Sequence, residues 1–579
     1  MSSIENQPVS GKQALQPLRL WPGVVIVLLQ WILRFGLPLV VPGDFVIMLG
    51  ILGGMLGGIA LIVWWAFFSR APKSERWGAV ILIILAMAVT SQFLHESIAQ
   101  SQAGITYFLY AIPPLCLAFV VWAVSCRHLA DRPRRAMMIA TILLSCGAWT
   151  LVRTVGMTSD IGHDFTWRWT LSPEEQFLAQ ALDEPLELLS DQEIAEIDAE
   201  WPGFRGQNRD AIITGISIKT DWSVSPPIEM WRRPIGPGLS SFAIHNNLLF
   251  TQEQIGENEV VSCYQVTTGK PVWRHHDAAR FIGDDANLGP RATPTYSNDR
   301  VFSFGATGIL NALDARDGSV IWSRNGAEDA ELTIPIWGFS SSPLVVDDMV
   351  IVAVEGVLIA YDIKTGNPRW FSPNGGKGYS SPHLMTIDNV VQVVMTSGVG
   401  ATSFSPADGK LLWEHPWEGE RIIQPHLLPD GDLIFSDGAG KGLRRIALTH
   451  EQESWNTEEL WTTKRLRPNF NDIVIHKGHA YGFNKITLTC IDIEDGKSKW
   501  NGERYGGQLL LLADQDLLVV LSEKGELALV EADPGQFTEI ARFTALEGKT
   551  WNHPVLTGDI LVVRNNSEMV AFRLSLESE

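Results

Sequence analysis

The chain has 579 residues, with 45 Lys and Arg against 65 Asp and Glu. That length exceeds one ordinary core, so at least two parts are expected. Residues 1–152 hold 10 Lys and Arg against 5 Asp and Glu, which leaves 35 against 60 for the remainder; so acidic a balance argues against a nucleic-acid partner, which needs a concentrated basic face.

The N-terminal part contains five apolar stretches, residues 22–41, 45–68, 77–94, 105–125 and 136–152. Each is long enough to cross a bilayer as a helix, and a cleaved signal peptide, with its single short apolar core, cannot account for five. Basic residues fall in alternate loops: Arg70, Lys73 and Arg76 after the second stretch, and Arg127, Arg132, Arg134 and Arg135 after the fourth. The positive-inside rule then predicts a cytoplasmic N-terminus (residues 1–20, with Lys12 and Arg19), a five-helix transmembrane domain (21–152), and everything later on the far side. In a bacterium with two membranes the protein would be a multi-pass protein of the inner membrane with its C-terminal part in the periplasm. Arg34, inside the first stretch, faces a partner or snorkels to the surface. Trp167, Arg168 and Trp169 read as an interfacial anchor.

Residues 153–200 form the predicted periplasmic linker; its part 173–200 has ten acidic residues and no Lys or Arg. A solvated acidic segment is the plainer reading, and a docking site for a basic partner the other. Cys116, Cys126 and Cys146 lie in or beside the apolar stretches and Cys263 and Cys490 in separate strands, so no disulfide framework is expected.

From residue 201 onward one motif recurs: a β-type run, a polar residue, a Gly-containing turn, then Trp, as in Leu313-Asp-Ala-Arg-Asp-Gly318-Ser-Val-Ile-Trp322. Steps from Trp273 to Trp322, Trp370, Trp413, Trp461, Trp500 and Phe543 are 49, 48, 43, 48, 39 and 43 residues. This is the period of a four-stranded propeller blade, each docking Trp packing between neighbours where it buries a broad apolar ring. Residues 553–574 supply three further strands without a Trp strand. Residues 228–233, with Trp231 lying 42 positions before Trp273, are predicted to supply the missing one. The fold class is therefore five transmembrane helices followed by an all-β, eight-bladed propeller (201–579); seven blades with a stray strand is the alternative.

The repeated motif, together with the opening Trp201-Pro-Gly-Phe-Arg205-Gly-Gln-Asn-Arg209-Asp210, resembles the pyrroloquinoline quinone (PQQ) propeller superfamily over residues 200–575. The layout is similar to membrane-bound quinoprotein glucose dehydrogenases, which would imply PQQ with Ca²⁺ or Mg²⁺ and electron delivery to ubiquinone. Departures from that pattern are the absence of a Cys-Cys pair, compact blades without long insertions, and no motif that places the cation ligands or a catalytic Asp. Compact blades are similar instead to the propeller lipoprotein of outer-membrane protein assembly, which implies a protein partner and no cofactor.

Polar residues at the starts of inner strands would converge on a central channel. The candidates for ligand binding are Arg291, Trp337, Lys377, His383, His426, Asn471 and Asn552: cations for a polycarboxylate and Trp for stacking. The other reading is that such residues satisfy strand ends around channel water. There is no P-loop and no metalloprotease histidine pattern. The leading functional reading is a membrane-anchored periplasmic binding or assembly module with a periplasmic or membrane protein partner. The alternative is a PQQ-dependent dehydrogenase that oxidises a sugar or alcohol and reduces ubiquinone.

Overall fold

The computed structural model describes residues 19–577 apart from 42–43, 158–161, 182–183, 284–286, 420–421, 439 and 453. Most of the predicted cytoplasmic segment, Lys12 included, and residues 42–43 lie outside the described residues. The chain divides into two units, Met1–Thr170 and, apart from 284–286, the rest.

All five apolar stretches of the first unit are helical, and three, Trp21–Val40, Val46–Phe68 and Ile105–Ser125, are long and apolar enough to cross a membrane. The other two start earlier than apolarity alone suggests. Lys73–Thr90 and Asp131–Gly147 each include a charged first turn, because a helix can carry charges at its end where an apolar-run boundary stops short. The charges are used: buried Glu75 accepts from Arg134 Nη2 at 2.8 Å and Arg135 Nε at 3.1 Å, tying those helices together. Elsewhere the packing is set by glycine. A Cβ at Gly50 would lie 2.8 Å from Leu33 O and one at Gly57 2.8 Å from Gln30, so the second stretch approaches the first at backbone distance.

Residues 153–200 are not one solvated linker. Val152–Met157 and His163–Trp167 pair as an antiparallel hairpin, and Trp167 and Trp169 stack at 5.0 Å. Beyond Thr170 the acidic segment is a strap on the second unit. Phe177 is buried against Ile255 and Val260, Glu174 holds Arg280 at 2.7 and 2.9 Å, and Ser190 caps a short helix with Glu193 in a reciprocal box. Three of its carboxylates, Glu174, Glu184 and Asp191, pair with arginines of the same unit, a use that composition cannot distinguish from solvation.

The second unit is propeller-like: among the described residues it holds eight sheets of four or five strands. Each contains a four-stranded antiparallel meander whose outer strand, in all but the seventh, carries the Trp. Seven occupy residues 243–277, 295–325, 344–371, 383–416, 426–463, 474–504 and 508–544 in chain order. The eighth joins Val555–Thr557, Ile560–Arg564 and Glu568–Arg573 to the early strand Ile228–Pro234, with Trp231 opposite Ala571.

In every sheet a register shift precedes the outer strand's entry into the ladder, as between Ala312 and Leu313 and between Ala571 and Phe572. Such a bulge turns the strand so that Trp faces the next sheet. There its indole lies on the turn glycine of the following motif: a Cβ on Gly318 would come within 2.4 Å of Trp273 and one on Gly366 within 2.7 Å of Trp322. Those glycines have φ of +72° and +70°, a conformation that also excludes a side chain. The indole N–H then donates to a carbonyl of the same turn, three residues before the glycine in every case below but that of Trp500, where Asp533 stands two before Gly535. Trp231 reaches Val266 O (2.8 Å), Trp273 Ala315 O, Trp322 Ile363 O, Trp370 Pro406 O and Trp461 Ile493 O (each 3.0 Å), while Trp500 reaches Asp533 O at 2.7 Å.

Two positions depart from the repeat. The fifth sheet has no Asp-x-x-Gly turn but a long hairpin of Leu443–Glu451 and Ser454–Thr463. Trp413 therefore has no turn glycine to lie on; it packs with Leu433, Phe435 and Ile446 of that sheet and donates to Gln392 Oε1 of its own (2.7 Å). In the seventh sheet the register places Ala541, opposite Leu529, where Trp stands elsewhere. Phe543, counted from the period as the docking aromatic, lies two residues on; it packs edge-on with Trp222 at 5.3 Å and Phe572 at 5.2 Å.

Candidate functional site

The inner strands are preceded by short runs of Ser, Thr, Pro, Asn and Gln, and these runs bond to one another from sheet to sheet. Ser241 N donates to Thr293 Oγ1 (3.1 Å), Thr293 N to Ser342 Oγ (3.0 Å) and Ser342 N to Ser381 Oγ (2.9 Å). Gln424, its amide turned to match, donates to Ser381 O at 2.8 Å, and Gln424 N gives to Asp472 Oδ1 at 2.7 Å. Asn471 Nδ2 donates to Gly507 O, Gln508 Nε2 to Trp551 O (3.1 Å), and Asn552 Nδ2 to Ser240 O (2.8 Å) and Gly238 O (3.0 Å). The circuit returns to its start.

Inside this belt lies the chain's own segment 201–213. Glu200–Trp201 pairs with the inner strand of the first sheet, and Ile212–Ile213 pairs in parallel with that of the seventh. Between them Arg205 Nη2 donates to Ile473 O (2.6 Å) and Asp210 O (2.9 Å), with Asp472 Oδ1 3.5 Å from its other nitrogen. Arg209 donates to Ser342 O (3.2 Å), Pro382 O (2.8 Å) and Pro343 O. A Cβ on Gly203 would sit 3.1 Å from Pro294 O, and Phe204 meets His553 edge-on at 5.1 Å. The segment thus plugs the centre and touches seven of the eight sheets. Arg205, Arg209 and Ala211 all have φ between +55° and +60°, left-handed for non-glycine residues, at a cost of about 1 kcal/mol or more each. Charge-assisted bonds from two buried guanidiniums offset it.

The electrostatics follow from burial beside those cations. His383 is pushed down to about 3 by burial, then by Arg209 and Arg205, and His553 to about 3 by burial and Arg205. Burial likewise holds His426 well below its ordinary value, with Arg205 and His383 adding to the effect. All three are neutral at pH 7. Asp210 and Asp472 are raised, mainly by burial.

The residues singled out in the sequence fall into three groups. His383 and His426 meet at the plug, where His383 Nε2 lies 3.0 Å from Asn208 O. Asn471 and Asn552 are members of the belt. Arg291, Trp337 and Lys377 lie in loops leading to inner strands and do not converge: Arg291 lies 5.2 Å over Phe281, Trp337 packs against Tyr379 at 5.1 Å, and Lys377 is exposed. The groups that organise the centre, Arg205, Arg209 and Asp472, carried no signal of that role in the sequence beyond the two arginines' place in the opening motif. Nor did Arg564, which is fully buried and donates to Thr251 Oγ1 (2.8 Å), Gly236 O (2.9 Å) and Gln252 O (3.0 Å), clamping the eighth sheet to the first.

This donor set does not fit PQQ with a divalent cation. The plug's two cations are taken by carbonyls and Asp472. Among the described residues no group of three His, Cys, Asp or Glu is disposed to hold a metal ion. Oxygens that could serve near the loops are also engaged, Asn287 Oδ1 by Lys549 (2.6 Å) and Glu523 Oε1 by Trp551 (2.7 Å). No step through that cofactor is derived.

The family described as "Outer membrane protein assembly factor BamB" matches residues 221–334 and 257–502. The chain is similar to the protein of that name from Shewanella oneidensis, 23% identical over 379 residues, covering 60% of this chain and 88% of the relative. It is also similar to that from Moranella endobia, 25% identical over 316 residues (50% and 76%). Among solved structures, BamB from Moraxella catarrhalis aligns with a TM-score of 0.44 at 14% identity over 61% of this chain and 99% of that one. Quinohemoprotein alcohol dehydrogenase from Comamonas testosteroni aligns with 0.49 at 13% over 70% and 85%.

Proposed function

For a chain whose repeats are those of the PQQ-type propeller superfamily, we propose a membrane-anchored periplasmic module that binds protein partners in outer-membrane protein assembly. The observation that carries it is the plugged centre. With the axis occupied by residues 201–213 and the belt side chains bonded to one another, the groups left for recognition are on the outside of the sheets, which suits a scaffold. The relatives' printed role points the same way.

In this reading the eight sheets are blades of one ring, closed by Ile228–Pro234, a geometry supported by the hydrogen-bond circuit and by Arg564. Five helices cross the inner membrane with the N-terminus in the cytoplasm. That is supported by the exposed apolar perimeter of the first unit, which includes Leu28, Leu52, Leu56, Ile59, Ile84 and Leu144, and by the alternation of basic loops.

The test is a strain lacking the gene. The fraction of outer-membrane β-barrel protein in the folded, heat-modifiable form is expected to fall, and to recover with the intact chain. An unchanged fraction, together with stoichiometric PQQ uptake and sugar- or alcohol-driven quinone reduction by the purified chain, would overturn this reading in favour of the dehydrogenase.

A further inference from the structure

We propose that the loop joining the second sheet to the third, residues 326–343, rests on the lipid surface of the membrane that the helices cross, inserting Ile334 and Ile336 at headgroup level with Trp337 and Lys377 at the interface. The inference rests on the membrane-crossing reading of the first unit, and on nothing about the propeller's partner.

The two isoleucines are 46% and 60% exposed, and the loop that carries them is not loose. Pro335 between them is buried. On the C-terminal side Gly338 takes φ of +71° where a Cβ would lie 2.9 Å from both Ala306 and Phe281. Phe339 N donates to Ala306 O at 2.9 Å, and Ser340 Oγ donates to Tyr379 O at 2.8 Å. On the N-terminal side Leu332 N donates to Ala327 O at 2.9 Å. Trp337 packs on Tyr379 at 5.1 Å, and Lys377, exposed, stands two residues before that tyrosine. Two of the loop's three acids are turned inward, Asp329 to Arg324 (3.1 Å) and Tyr361 OH (3.0 Å), and Glu328 to Asn325 Nδ2 (2.8 Å). Pinned on both sides, the isoleucines are held out from the sheets. Two fixed aliphatic tips with Trp, Tyr and Lys are the residue set of a membrane–water interface, where exposed apolar surface is taken out of water.

Where the chain enters and how charge is distributed decide for lipid. In each meander the second turn and the connection to the next sheet lie at one end, and the two bond there, Phe339 N to Ala306 O and Gly375 N to Gly356 O (2.8 Å). The strap begins at that same end. Its helix Pro173–Ala181 sets Phe177 against Ile255, next to the second turn of the first sheet, and Arg280, which Glu174 holds, donates to Gly256 O of that turn at 2.6 Å. Pro173 comes four residues after Trp169 of the interfacial anchor expected from sequence, so the chain leaving the bilayer arrives on this end first. The opposite end is unsuited to an anionic surface. The first turns of the eight sheets (246–247, 298–299, 347–348, 388–389, 428–432, 477–478, 513–516 and 558–559) hold nine Asp against one Lys. A soluble partner would cover the isoleucines equally well but is not supplied by the chain's own anchor.

The experiment uses the full chain in nanodiscs of phosphatidylcholine with one quarter phosphatidylglycerol, part of the lipid bearing a nitroxide just below the headgroup. A fluorophore is attached at Thr333→Cys, in the loop, or at Lys410→Cys, in a third turn at the opposite end; the five native cysteines are buried. The nitroxide is expected to quench the dye at 333 at least fivefold more than the dye at 410. Adding Ile334→Ser and Ile336→Ser should lower quenching at 333 at least threefold, because the tips and not the tether hold the loop to lipid. Equal quenching at 333 and 410, quenching at 333 unchanged by the serines, or capture of a second protein in place of lipid by a photo-crosslinker at Ile336 in intact cells would each overturn the proposal. Alkaline extraction separates the failures: a chain that stays in membranes yet is unquenched at 333 defeats this inference alone, and one that is extracted defeats the membrane-crossing reading with it.

Discussion

The two units bury polar groups in opposite ways. In the propeller-like unit many buried donors meet a neighbour through contacts that repeat from sheet to sheet: Trp on Gly, indole on carbonyl, Ser or Asn on the next sheet's backbone. In the helical unit the polar contacts occur once each, as in Glu75 with Arg134 or Gln30 with Gly54. Repetition lets one turn motif specify many contacts, whereas each single contact needs its own pair of residues.

The contrast can be broken first at the repeat itself. Trp322→Ala removes a buried ring and its bond to Ile363 O, and is expected to cost about 4 kcal/mol in urea unfolding of the propeller unit. Trp413→Ala, at a docking position whose indole bonds within its own sheet, should cost clearly less. If the two cost the same, the inter-sheet docking does not carry the stability assigned to it. A smaller loss, about 3 kcal/mol, is expected for Arg209→Ala, which leaves carbonyls of Ser342, Pro343 and Pro382 without a donor; near-wild-type unfolding would mean that the plug is not held by that side chain.

Acid sharpens the comparison with the least perturbation. His383 and His553 titrate at about 3 when folded and near 6.5 when unfolded. The unfolded chain therefore takes up protons first, and stability present above pH 6.5 is lost progressively down to about 3. At pH 5.5 the loss is about 1.4 kcal/mol for each histidine. Asp210 and Asp472, raised by burial, act in the opposite sense and only nearer the carboxylate range. The urea midpoint should fall between pH 7 and 5.5 in the wild type and much less in a His383→Gln, His553→Gln variant; a flat wild-type profile would remove the buried-neutral assignment.

What was legible in the sequence follows the same division. Period and turn chemistry located the Trp strands, and the distance from Trp231 to Trp273 led to the pairing of Ile228–Pro234 with the last strands. The same arithmetic misplaced the seventh docking position, since a bulge sets register and counting aromatics chose Phe543 over Ala541. The plug was invisible because nothing periodic marks Arg205 and Arg209, and their partners are carbonyls, which every residue has. The strap at 171–200 was hidden for a related reason: charge reports how many carboxylates a segment carries, not that Glu174 and Glu184 meet Arg280 and Arg233. Helix starts at Lys73 and Asp131 were missed because apolarity was read as the boundary.

The seam between the first and last ribbons also sets a clock. Arg232 and Glu568 are 336 positions apart, so at roughly 5–20 residues per second the early strand waits about 20 to 70 s for its mate to be synthesised. Throughout that interval an unpaired edge is offered to any passing chain. Loss of the final three strands would therefore strand the beginning of the domain as well as its end, and a helper that shields nascent β-edges should matter more for this protein than its finished stability suggests.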